Sequence, residues 1–216
     1  MVRSIPGGAF VSNPSLSLIQ TGLRDMGHDP GPVDGLWGKK TRGAVEALIA
    51  AGGKPAGRLI APQTSAMIYQ GSARHPVREV VLHCTATRPD WMGNATLAEK
   101  RAEIRRWHLE RGWRDIGYHW LIDRDGAIAA GRAETVIGAH VIGHNAGTIG
   151  ISLIGGAGSA VTDRFAEHYT PAQERSLRDL LQGIGMRTQI AAISGHNDYA
   201  AKACPGFTVA EWLKAA

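Results

Sequence analysis

"REVVLHC", residues 78–84, is a short apolar run that ends on a histidine and a cysteine. A run of this length, rich in β-branched residues, reads as a strand. Upstream of it the apolar spacing is helical. Downstream, strand and helix patterns alternate. Residues 96–111 place Leu97, Ile104 and Trp107 on one helical face. "GYHWLI" (117–122) and "TIGISLI" (148–154) are β-rich, and Ile149, Ile151 and Leu153 alternate. "YTPAQERSLRDLLQGIG" (169–185) predicts a helix: Thr170 is the N-cap, Pro171 the first helical residue, and Gln173 completes a capping box. Leu177, Leu180, Leu181 and Ile184 then recur at helical spacing. The fold class expected from this alternation is α/β, a mixed central sheet flanked by helices, over residues 78–216.

The upstream third reads differently. "SLSLIQTGLRDMGH" (15–28) carries Leu16, Ile19, Leu23 and Met26 at helical spacing, with Gly27 as a stop. "DPGPVDGLWG" (29–38) is rich in turn residues. "KKTRGAVEALIAAGG" (39–53) is a second helix with Ala44, Val45, Leu48 and Ile49 as its stripe. "RLIAPQTSAMIY" (58–69) predicts a third short helix, with Pro62 near its start. Residues 1–70 are therefore expected to form a small three-helix domain, and residues 71–77 a linker to the larger one.

Bulk composition excludes several classes. No apolar run approaches the roughly 20 residues that span a bilayer. The N-terminus lacks the apolar segment of a secretory signal, so synthesis in the cytoplasm without classical export is expected. Two cysteines cannot make a disulfide-dense scaffold. The formal net charge is +5, with basic residues scattered rather than in runs. That favours general attraction to a polyanion such as a cell wall, or solubility alone, over a nucleic-acid partner.

The chemistry concentrates in "SGHNDYAAKACPG", residues 194–206. His196 and Cys204 are eight residues apart, and Pro205-Gly206 sets the cysteine on a turn. Zinc prefers imidazole nitrogen and thiolate sulfur, and a catalytic site uses three protein ligands with a fourth position for water. His83, where the chain leaves its strand, is the best third candidate. Successive strand side chains face opposite ways, so with His83 at the site Cys84 faces the core. That argues against Cys84 as a second thiolate and against a Cys84–Cys204 disulfide. Spacing alone leaves a structural role open for His196 and Cys204. His108 reads as a packing residue beside Trp107, His119 as pointing opposite to Tyr118, and His28, His75 and His168 as loop or surface residues.

Several segments together resemble one family. "VLHCTAT", "RRWHLERGWRDIGYHWLIDRDGAIAAGR", "GTIGISLIGG", "YTPAQERSL" and "HNDYAAKACPGF" occur in the order and spacing of the zinc-dependent N-acetylmuramoyl-L-alanine amidases. These include the T-seven type of phage lysozyme and share a fold with the peptidoglycan recognition proteins. The resemblance implies Zn2+ held by His83, His196 and Cys204, and catalytic roles for Tyr118 and Lys202. It implies hydrolysis of the amide between N-acetylmuramic acid and L-alanine of the stem peptide. Lys202 would place a cation near the developing negative charge, and the Tyr118 hydroxyl would orient the water or assist proton transfer. His140 and His144 are expected to touch substrate. Asp198 is a rival ligand, because some relatives use an aspartate where Cys204 stands.

The N-terminal segment resembles a small peptidoglycan-binding domain through Asp34, Gly35, Trp37, Gly38, Thr41 and Ala44-Val45. The two resemblances in this order are those of a modular phage endolysin. They imply bacterial peptidoglycan as partner, release through a holin, action at the wall or periplasm, and a monomer. A bacterial wall-recycling amidase is the nearest enzymatic alternative. A recognition protein without catalysis would lack the full ligand set. A polymerase-inhibiting role, also found with the T-seven type, would need a free N-terminal end.

Overall fold

The computed structural model describes residues 14–50, 52 and 66–215, and the chain divides into two compact units, residues 1–60 and 61–216. In the first unit, α1 (Pro14–Asp25) and α2 (Lys39–Ala50) are joined by the turn-rich loop 26–38. Their junction is organised by a polar side chain. Gln20 is 1 % exposed. Its amide nitrogen, with two hydrogens to give, lies 3.0 Å from each of three acceptors, Asp34 Oδ1, the Leu36 carbonyl and Thr41 Oγ1. Its oxygen accepts the backbone N–H groups of Asp34 and Gly35 at 3.1 and 2.8 Å. Thr41 Oγ1 in turn donates to the Pro30 carbonyl. Thr41 thus supports the loop from the first turn of α2, and the loop backbone has the partners that burial demands. His28, expected in a loop or at the surface, lies in the loop where the chain leaves α1 and is buried there.

The predicted third helix, 58–69, lies mostly outside the described residues. Its last part is not helical: residues 66–68 have no regular structure, and Tyr69 opens a strand. The expected linker is also structured. In the second unit β1 (Tyr69–Gln70) and β2 (His75–Pro76) pair as an antiparallel hairpin. Gln70 explains why these residues fold. It is fully buried, donates to the Thr148 carbonyl at 2.9 Å and accepts the Gly147 N–H at 2.9 Å.

The main sheet follows. The elements are β3 (Glu79–Cys84), α3 (Leu97–Glu110), β4 (Trp120–Ile122), β5 (Ile128–Ala130), β6 (Thr148–Leu153), α4 (Phe165–His168), α5 (Pro171–Gly185), β7 (Ala192–Gly195) and α6 (Val209–Lys214). The strand order is β5-β4-β6-β3-β7. All neighbours are parallel except β4 and β5. This is the expected mixed α/β sheet, with helices on its faces.

Alternation along β3 and β6 sorts the two faces. Val80, Leu82, Cys84, Ile149, Ile151 and Leu153 join Leu177, Leu181 and Ile184 of α5 in the larger core. Ile104 of α3 packs with Ile116, Leu121 and Ile154 in a second cluster. The α5 cap does more than start the helix. Thr170 and Gln173 make the predicted box, and the Gln173 amide also donates to the Ile122 and Ile154 carbonyls at 3.2 and 2.9 Å. The helix start is therefore pinned to the sheet. A second capping box, Thr96 with Glu99, opens α3.

The α3 helix also carries Lys100, which reaches both oxygens of Asp123 at 3.0 and 2.8 Å, with both side chains over 90 % buried. Removing one partner leaves a charge buried alone. Lys100→Met should cost about 3–5 kcal/mol in chemical denaturation, and adding Asp123→Asn should recover more than half of that loss. A cost below about 1 kcal/mol, the range of an exposed pair, would show that the two charges are not held apart from water.

Candidate metal centre

Register places the first two candidate ligands. In the parallel pairing of β3 with β7, Leu82 lies opposite Gly195. The next residues along each strand are His83 and His196, and their ring centroids are 4.8 Å apart. His83 is fully buried; His196 opens a short 3-10 turn and is half-buried. The third group comes from the end of the following loop. The Asn197 N–H donates to the Cys204 carbonyl at 2.8 Å, and the Asn197 amide donates to the Phe207 carbonyl at 3.2 Å. The Tyr169 hydroxyl holds the Pro205 carbonyl at 2.5 Å. These bonds fold residues 196–206 back on themselves and bring Cys204 beside His83.

His83, His196 and Cys204 offer ligand atoms that all lie within 4.8 Å of one another. His83 Nδ1 and Cys204 Sγ are 3.8 Å apart. A tetrahedral ion with nitrogen at about 2.0 Å and sulfur at about 2.3 Å separates the two by about 3.5 Å, so the pair is close to the spacing a zinc ion needs. Burial, followed by the neighbouring His140 and His196, holds the His83 imidazole well below its ordinary pKa. Burial, then Lys202, lowers the pKa of His196. Both shifts favour the neutral imidazole that a metal ligand must be. The adjacent Cys84 thiol and burial raise the pKa of Cys204. A bound cation offsets this by favouring the thiolate. The donor set thus fits a soft-to-borderline divalent ion.

The other expected residues fall into place around this triad. Cys84 belongs to the larger core, as strand alternation predicts, while its backbone N–H donates to Cys204 Sγ at 3.2 Å. Asp198 is not among the clustered groups; its Oδ2 accepts the Gly195 N–H at 2.7 Å and closes the 3-10 turn. Tyr118 lies against His83, with ring centroids 5.2 Å apart. Burial raises the Tyr118 pKa, so its hydroxyl stays protonated. Beneath Tyr118, His108 accepts the Gly117 N–H at 2.9 Å and packs on the tyrosine ring, the supporting role its sequence context implies. Facing His83 in the register is Ser152, fully buried, whose hydroxyl has no partner among the described residues.

A cavity of about 510 Å³ opens beside the triad, lined by Tyr118, His196 and Lys202 together with Arg111, Trp113 and Tyr199. Arg111 and Trp113 carry no signal in the helical stripe of α3. They follow its end, where Gly112 (φ +81°) turns the chain. A cation and an aromatic flanking a helix-ending glycine were the available clue. His140 also lines this cavity, but it is 6 % exposed and bonded to His83 Nε2 at 3.0 Å. His144 bonds Glu79 at 2.7 Å and stacks on Tyr199, with centroids 4.2 Å apart. Glu79 also accepts from Ser194 and the Tyr199 hydroxyl. His144 is thus engaged in a clasp at the rim.

Comparison with known proteins agrees with this geometry. The family described as N-acetylmuramoyl-L-alanine amidase matches residues 73–207. An endolysin of Enterobacteria phage T3 is 38 % identical over 143 residues, covering 66 % of this chain and 89 % of the relative. An endolysin of Escherichia phage T7 matches with the same identity and coverage. Among solved structures, an endolysin N-acetylmuramoyl-L-alanine amidase from Clostridium intestinale URNW is 31 % identical with a TM-score of 0.51, over 64 % of this chain and 81 % of that one. With the family matched across more than half its length, strand, loop and ligand segments included, this chain belongs to the N-acetylmuramoyl-L-alanine amidases.

Proposed function

We propose that the protein is a peptidoglycan hydrolase of the endolysin kind, cleaving the amide between N-acetylmuramic acid and L-alanine with zinc held by His83, His196 and Cys204. The observation that carries this is the convergence of two imidazoles and one thiol, from the end of β3 and the 196–206 loop, beside a cavity that His196 helps to line, in an amidase-family chain. When bound, the ion supplies Lewis acidity to a water and to the scissile carbonyl.

The remaining work falls to the chain's own groups. Lys202, on the cavity wall, sets an ammonium where negative charge develops on the carbonyl oxygen. Tyr118, kept protonated by burial, offers a hydroxyl that can orient the attacking water or pass a proton toward the leaving nitrogen. Arg111 adds a cation to the same cavity and suits the carboxylates of a stem peptide.

The first unit is assigned to wall binding. Trp37 is 52 % exposed beside the Asp34-Gly35 turn that Gln20 holds rigid. A preorganised, exposed aromatic is a low-cost contact surface for a polymer. Tethering raises the local substrate concentration without altering the chemistry. Among the described residues no helix is long and apolar enough to cross a membrane. The reading is of a protein made in a host cytoplasm that reaches the wall through a holin-type partner, in keeping with its phage relatives.

Digestion of purified peptidoglycan should release stem peptides with new L-alanine amino termini, and a zinc chelator should abolish that release in mass spectra. New reducing sugar ends instead would overturn the amidase assignment. In the same preparation Cys204→Ser should lose bound zinc while Cys84→Ala retains it; equal loss would sink the ligand assignment. In co-sedimentation with insoluble peptidoglycan, Trp37→Ala should lower the bound fraction several-fold. An unchanged fraction would remove Trp37 from wall binding.

A further inference from the structure

We propose that His140 is a positioning residue for His83: it fixes the His83 tautomer that presents Nδ1 to the metal, through a polarised chain that ends on backbone carbonyls. The inference rests on the zinc reading above and assigns His140 a task other than substrate contact.

A histidine that ligates through one nitrogen must carry its proton on the other. His83 Nδ1 faces Cys204 Sγ, and His83 Nε2 lies 3.0 Å from His140 Nδ1. Their rings meet nearly edge to face, at 81°. On the far side His140 Nε2 is 3.3 Å from Thr148 Oγ1. Thr148 Oγ1 is also 3.1 Å from the His144 carbonyl and 3.0 Å from the Asn145 carbonyl. Carbonyl oxygens only accept, so the single hydroxyl hydrogen of Thr148 goes to one of them. The hydroxyl then turns a lone pair to His140. That makes His140 Nε2 the donor and His140 Nδ1 the acceptor, and His83 Nε2–H donates into it. Nδ1 of His83 is left with its lone pair toward the triad. Run the other way, the chain would put a hydrogen on Nδ1 and bar it from the metal.

The seat for His140 is built for a ring. A Cβ at Gly150 would come within 2.7 Å of the imidazole, and one at Gly138 within 2.5 Å. Two glycines therefore leave the space the ring fills. Asn145 Oδ1 accepts the N–H groups of both His140 and Val141, at 2.7 and 2.9 Å, and fixes the backbone. Behind it His119 is also committed: its Nδ1 accepts the Gly150 N–H at 2.9 Å, so its Nε2–H points to the Val136 carbonyl at 3.0 Å.

The test reads the metal and the tautomer rather than turnover. Zinc affinity is measured by competition with a chromophoric chelator for the wild type, His140→Phe, Thr148→Val and Thr148→Ser. The expected loss is about 10–100-fold for His140→Phe, a smaller loss for Thr148→Val, and near wild-type affinity for Thr148→Ser. In metal-free wild type, imidazole 15N shifts should show His83 protonated at Nε2; in Thr148→Val they should move toward a mixture of tautomers. Equal zinc affinity across the set, or wild-type His83 protonated at Nδ1, would overturn the proposal even if His140→Phe failed to fold. Absence of zinc binding by the wild type would instead sink the metal reading, and this inference with it.

Discussion

The register of β3 against its two parallel neighbours is the constraint on which the site depends. Leu82 opposite Gly195 brings His83 and His196 to adjacent positions where both strands end. Adjacent strands lie about 4.8 Å apart, close to what two ligands of one ion require. Side chains alternate with period two, so a slip of one residue would send His83 into the core and Cys84 to the cavity. The slip is opposed from both faces: Val80, Leu82 and Cys84 are packed under α5, and Val81 and His83 are fully buried on the other side. Packing on one face of the sheet thereby fixes chemistry on the other.

Much of this was legible in the sequence because apolar spacing reports burial. β3 was readable as a bounded β-branched run. α5 was readable because its cap, its Pro171 and its leucine spacing agree. His196 and Cys204 were readable as a candidate metal pair by residue type, and His83 as their partner by its place at the end of a strand, with family resemblance singling out the set. What escaped was polar burial. Gln20, Gln70 and Lys100 are all buried yet hydrophilic, and each owes its burial to partners distant in sequence. Hydrophobic periodicity assigns such residues to the surface. The hairpin of β1 and β2 escaped for a related reason: two-residue strands have no alternation to detect.

His140 shows a third kind of feature that the sequence leaves open. Its residue type and its place beside the cavity were legible, but its direction was not. Whether a histidine faces substrate or the back of a ligand depends on which nitrogen finds an acceptor, and that acceptor network runs through Thr148, eight residues away. His144 differs in the same way, held by Glu79 from the start of β3, 65 residues earlier.

The Lys100–Asp123 pair also bears on how the protein responds to its surroundings. Mobile ions screen exposed charges over a Debye length of about 8 Å at physiological ionic strength, but they act far less on a pair closed off from water. The scattered surface charge that sums to +5 is open to that screening, while this internal pair is not. Rising ionic strength therefore shortens the reach of the surface charge and leaves the anchoring of α3 to the sheet intact, so outward electrostatics and structural integrity answer to different variables.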